Sequence, residues 1–176
     1  MTLEFEQIQK EEIRKNRETR YVDLLVREGI DFATGVPCGV QKYVIESLST
    51  RPEIIHLSAT RESEAIGIAA GAYLAGRRPV VYMQNSGLLD CVNDISSLLL
   101  CYKIPILLSV SWRGAPGEDA PQHFVNGAIT PSILRALDIP YFILDWASLE
   151  LISRISLLEM KRLEKPAVIL VKRGIF

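Results

Sequence analysis

Two carboxylates open the stretch RESEAIGIAAGAYLAGRRP from Arg61 to Pro79, directly after the mostly apolar run EIIHLSA from Glu53 to Ala59. The run reads as a buried strand and the residues after Arg61 as a helix, so Glu62 and Glu64 fall in a helix's first turn. Unpaired backbone N–H groups and the helix dipole favour a carboxylate there. Positions two apart do not share a helix face, so only one of the pair can point inward for acid–base work while the other meets solvent. Gly67 and Gly71 share a face at the i,i+4 interval with Ala70 and Leu74 beside them. Glycine inside a helix costs about 1 kcal/mol relative to alanine, so either another surface approaches that face closely or the small residues let the helix lie tightly on its own sheet.

Further residues with chemical capacity cluster after other apolar runs. Asn85, Ser86 and Gly87 make a strand-to-helix turn whose N–H groups suit an anion. Arg113 carries a fork matched to carboxylate, sulfonate or phosphonate, and His123 is a donor or proton carrier near neutral pH. The plainer alternatives are that Arg113 pairs with Glu118 or Asp119 in its own loop, that His123 is structural, and that Gln122 steadies its loop. His56, inside an apolar run, reads as core, and Cys38 beside Pro37 as a small apolar filler. Ser86 with His123 invites comparison with a serine hydrolase, but GxSxG is missing, and so is the phosphate-binding GxxxxGK[ST].

These residues need a scaffold, and the chain supplies alternating strands and helices. Strands are expected at Asp31–Gly35, Glu53–Ser58, Pro79–Gln84, Ile104–Val110, Tyr141–Leu144 and Ala167–Lys172. That alternation implies an α/β fold of three layers: a six-stranded, mostly parallel sheet with helices on both faces. The candidate residues then follow four strand ends, GVPCG, SATRE, QNSG and SWRGAPGEDAPQHFVNG, where ligands bind in open parallel sheets. Residues 1–20 read as a charged helical arm or extension and residues 21–176 as a single domain.

Composition narrows the function classes. With 176 residues and 48% hydrophobic content, the chain is long enough for one core. A net charge of -1 provides no basic field for nucleic acid or an acidic membrane surface, and the uncharged stretch from Ala65 to Gly76 is shorter than the ~20 residues of a membrane span. Cys38, Cys91 and Cys101 form no CxxC pair and no signal segment begins the chain, which suits a reducing cytoplasm.

The string RESEAIGIAAGAYLAGRRPV resembles the glutamate helix of the pyrimidine-binding (PYR) domain in thiamine diphosphate enzymes. With FATGVPC, VYMQNSG and SWRGAPGEDAPQH in order, the region from about Tyr21 to Pro140 resembles the phosphonopyruvate and sulfopyruvate decarboxylase family. The resemblance implies a 2-oxo acid decarboxylase in which Glu62, rather than Glu64, shares a proton with the cofactor's aminopyrimidine ring. It further implies Pro37, Glu62, Asn85, Ser86 and Gln122 at the cofactor, Arg113, His123 and Ser86 at the substrate, and His123 beside Glu62 in catalysis. No GDG occurs in the chain, so the diphosphate and its Mg²⁺ are expected on a separate beta subunit carrying that motif, in a hetero-oligomer. The family pattern is close to NSGLGN, whereas here Leu89 and Asp90 replace the second glycine and the asparagine. That departure keeps open a non-catalytic binding or regulatory module with the same fold.

Overall fold

The structure, a computed structural model, describes residues 2–117 and 121–176. Six strands, β1 (Phe32–Gly35), β2 (Ile55–Ser58), β3 (Pro79–Gln84), β4 (Leu107–Ser111), β5 (Tyr141–Ile143) and β6 (Ala167–Val171), form one sheet in the order β2-β1-β3-β4-β6-β5. All five pairings are parallel, so the expected mostly parallel sheet is wholly parallel. β4 and β6 are buried at every position, as their apolar sequences require of strands covered on both faces.

Helices α1 (Thr2–Arg27), α2 (Lys42–Thr50) and α7 (Leu149–Leu163) cover one face; Tyr21, Leu24, Leu25, Leu48 and Leu157 meet Val80, Leu107 and Ile169 there. Helices α3 (Glu62–Leu74), α4 (Asn85–Asp90), α5 (Val92–Asp94), a π turn at Ile95–Leu100, and α6 (Phe124–Ala136) lie on the other, where Ala65, Ile66, Leu88, Leu99 and Leu134 meet Val81, Leu108 and Leu170. At about 1.5–3 kcal/mol for each large apolar side chain buried, these two layers hold the sheet.

Two expectations need correction. β2 is an edge strand rather than a buried one, with Ile55 and Leu57 each 49% exposed. Register pairs His56 with Ala33 on the α1 side, where it is half-buried instead of core. Its ring stacks on Tyr82 at 5.8 Å between centroids, and Nε2 lies 2.9 Å from the Tyr82 hydroxyl; burial lowers the imidazole pKa. The expected arm, residues 1–20, and the start of the expected domain at residue 21 lie on one helix, α1. Residues 5–13 of that helix are exposed, and its buried side begins at Glu18.

The Glu18 carboxylate has no exposure, accepts Arg14 Nε at 2.6 Å and takes the Tyr43 and Val44 backbone N–H groups at 2.7 and 2.8 Å. It therefore caps α2 from another helix, satisfying donors that the helix start leaves unpaired. Burial nevertheless raises its pKa above the ordinary value.

Candidate active site at the carboxyl ends of the strands

The chain leaves β1 for β2 on one side and returns to β3 on the other, so β1 and β3 flank the switch point of the sheet. Ligand clefts in such sheets open there. Pro37 stands exposed in the loop after β1. Next to it Cys38 Sγ donates to Gln84 Oε1 at 3.7 Å, and Gln84 Nε2 donates to Ser86 Oγ at 2.8 Å. Gln84 thus bridges the two loops that border the switch point.

Helix geometry separates the two carboxylates of α3. Glu64 is exposed and turns back to accept the Thr60 N–H and hydroxyl at 2.8 and 2.7 Å, bonds that hold its pKa below the usual value. Glu62 instead lies half-buried against Gly87. A Cβ on Gly87 would fall about 1 Å inside the 3.4 Å of ordinary contact with Glu62 Cγ, Cδ and Oε1, so the NSG turn leaves room for that carboxyl only because residue 87 lacks a side chain. Beneath them the Cys91 thiol is pushed up to about 12, first by burial and then by the negative charges of Asp94, Glu62 and Asp90. A thiol in that state is a poor nucleophile.

The small residues of α3 divide between the two roles open to them. Ala65, Ala69 and Ala70 are buried against the sheet, while Gly67 and Gly71 are exposed, and an added Cβ on either would have nothing within 4 Å. The glycines therefore form an open strip on the outer side of α3, turned away from the face that carries Glu62, with Leu74 at 74% exposure at its end.

Asn85 joins the end of β3 to the long loop after β4. Its side chain is fully buried; Nδ2 donates to Arg113 O at 2.9 Å and to Thr130 Oγ1 at 3.1 Å, and Oδ1 accepts the Arg113 N–H at 3.0 Å. The amide is thereby committed to the protein itself, and its geometry is that of a pin rather than of a group reaching for a ligand. Pro131 within α6 has no N–H to give the Gly127 carbonyl four residues back. Trp112 Nε1 supplies the missing bond at 2.9 Å. The resulting contact is so close that a Cβ on Gly114 would collide with the His123 carbonyl and one on Gly127 with the Gly114 backbone.

Glu62 on Gly87, Asn85 on Arg113, and Gly114 on His123 make one continuous chain of contacts along the ends of β3 and β4. Gln122, in the turn Pro121–His123, is exposed, and His123 is half-buried. Glu118 and Asp119, the expected loop partners of Arg113, lie outside the described residues. Sequence reasoning overlooked Gln84, Thr130 and Gly127; a proline four residues after a glycine, with a tryptophan at a strand end, was the available signal for the last.

The family of thiamine pyrophosphate enzymes, N-terminal TPP binding domain, matches residues 17–131, most of the chain. The chain belongs to this family. Its relatives include the sulfopyruvate decarboxylase subunit alpha of Methanococcus maripaludis, 43% identical over 118 residues, 67% of this chain and 71% of that protein. The subunit of the same name from Methanothermobacter thermautotrophicus is 46% identical over 113 residues, 64% of this chain and 68% of its own. The phosphonopyruvate decarboxylase of Streptomyces viridochromogenes is 39% identical over 114 residues, 64% of this chain but 29% of that longer protein. Among the described residues no helix is long and apolar enough to cross a membrane.

Proposed function

We propose that this chain is the alpha, pyrimidine-binding subunit of a split thiamine diphosphate-dependent 2-oxo acid decarboxylase, a carboxy-lyase releasing carbon dioxide and an aldehyde from 3-sulfopyruvate or 3-phosphonopyruvate. The observation that carries the reading is Glu62, seated over Gly87 at the switch point of a sheet that belongs to the thiamine pyrophosphate enzyme family. The names of the alpha-subunit relatives, and the nearly matching lengths, support a two-chain enzyme and favour the sulfonate substrate. They give no support to a module without turnover.

When bound, thiamine diphosphate supplies the electron sink that loss of carbon dioxide requires. The Glu62 carboxyl is assigned the role of holding a proton that it would share with a ring nitrogen of the cofactor. Gly87 leaves it room, and the packing of Leu88 and Cys91 below keeps water from its protein side. Ser86, oriented by Gln84, and Pro37 border the same opening; Gln122 is proposed to close over the cofactor. Arg113 is assigned to the acid group of the substrate and His123 to proton delivery at its carbonyl. Asn85 is assigned a positioning role, holding the Arg113 backbone.

The diphosphate and Mg²⁺ are assigned to a GDG-bearing beta subunit, and the open strip at Gly67 and Gly71 to contact with it. The exposed start of α1 is the proposed arm, and three free cysteines suit a reducing cytoplasm. Mixing the chain with that beta subunit, thiamine diphosphate and Mg²⁺ should release carbon dioxide from 3-sulfopyruvate or 3-phosphonopyruvate, and Glu62→Gln should abolish it while the circular dichroism stays unchanged. Near-normal turnover by Glu62→Gln would remove the assigned role.

A further inference from the structure

On the α1 side of the carboxyl ends of β4 and β6, three arginines from three elements line one cleft of about 500 Å³ with Gly39, Val40 and Phe176, and Arg113 among them is shared with the candidate active site. Each is delivered there by separate local structure. Arg14 projects from α1, where its Nε pairs with buried Glu18 and its Nη2 donates to the Gly39 and Val40 carbonyls at 2.6 and 3.0 Å. Arg113 leaves β4 with its backbone fixed by Asn85.

Arg173 follows β6 in a turn closed by the Ile175 N–H on the Lys172 carbonyl at 3.4 Å, in which Gly174 takes φ 81°. Past that turn, the Phe176 ring packs 5.8 Å from Tyr21, whose hydroxyl donates to Ser109 in a buried network completed by Gln41 and Ser111. The wall of the cleft is thus anchored in the core.

The side chains of the described residues lining the cleft include three guanidinium groups and no carboxylate. Glu18 offsets Arg14, and Arg113 has interactions of its own; Arg173 is exposed and has no hydrogen-bond or ion-pair partner among the described residues, which leaves its guanidinium for a ligand. A guanidinium offers two parallel donors to an oxyanion, and a concave setting with fixed neighbours spares much of the ordering entropy.

We propose that this cleft binds a strong-acid oxyanion, a sulfonate, phosphonate or phosphate group, with Arg173 as its principal donor. The proposal goes beyond the decarboxylase reading: of the two possible sources of the anion, the acid tail of the substrate rests on that reading and a free inorganic ion does not.

Calorimetric titration of the full chain with inorganic phosphate and with methanesulfonate tests the site. Saturable binding is expected for at least one probe, weakening with added salt, about tenfold or more weaker in Arg173→Ala, and partly retained in Arg173→Lys. Arg154→Ala, which removes a surface arginine paired with Glu28, should bind as the unaltered chain does. Arg173 is exposed, so unchanged thermal midpoints are expected and should be recorded with each titration.

In the assembled decarboxylase, a raised KM with retained kcat in Arg173→Ala identifies the substrate's tail as the occupant, and an unchanged KM identifies a free anion; both support the site. Absence of saturable binding by both probes, or equal affinity in Arg173→Ala, overturns it. Binding by a chain that never decarboxylates with any beta subunit would leave this proposal standing and defeat the functional one.

Discussion

Gly87→Ala isolates the placement of Glu62 from its chemistry. The added methyl group must displace the Glu62 carboxyl by about 1 Å to restore the 3.4 Å of ordinary contact, and the atoms in the way belong to a flexible side chain rather than to backbone. Alanine also gains up to about 1 kcal/mol over glycine in a helix such as α4. Stability should therefore change by less than about 1 kcal/mol. A misplacement of about 1 Å at a reacting centre costs on the order of 100-fold in rate, so kcat of the complex with its beta subunit should fall by roughly that factor. The assay is steady-state carbon dioxide release beside urea unfolding of the isolated chain. Turnover within about twofold of the unaltered enzyme would refute the claim that the carboxyl must sit where Gly87 leaves room. Loss of fold instead would show that the contact is rigid and the reasoning about flexibility wrong.

Asn85→Ala should destabilise the chain by about 1–3 kcal/mol, because it removes three hydrogen bonds that tie the end of β3 to the Arg113 backbone and to α6, although the Arg113 N–H keeps the Ser111 carbonyl and the Thr130 hydroxyl keeps that of Asn126; urea unfolding checks this, and a change below about 0.5 kcal/mol would contradict the pin. Glu18 provides a pH dependence. Its folded pKa is raised by burial from the usual 4.5, so the stability it contributes is present below that value and is lost as pH rises through the raised one. The stability of the unaltered chain relative to Glu18→Gln should accordingly fall with pH above 4.5, and unfolding curves in which that difference grows with pH would overturn the sign. The chain alone should bind thiamine diphosphate weakly, and a calorimetric Kd below about 1 μM without any partner would contradict the assignment of the diphosphate to a second subunit.

Continuous apolar runs made the strands legible, and β3 runs over the anticipated Pro79–Gln84. β2 looked equally buried because an apolar run does not say whether a strand has one neighbour or two; Ile55, His56 and Leu57 occupy a margin that only the strand order reveals. Helix periodicity allowed only one of Glu62 and Glu64 to point inward without saying which, and the family resemblance alone chose Glu62. The commitment of Asn85 to Arg113 and Thr130 was invisible because these partners lie 28 and 45 residues away. The role of Gly87 was hidden likewise, since its reason for being glycine is a side chain from another helix.

The outermost strand of the sheet has its own implication for the purified material. With one flank of its backbone donors and acceptors facing no other strand among the described residues, and Ile55 and Leu57 half in water, β2 invites further molecules to stack alongside it. Shelf life of a concentrated solution should then follow this margin more than the melting temperature, and a lysine in place of either residue would lengthen it at no expense to the interior.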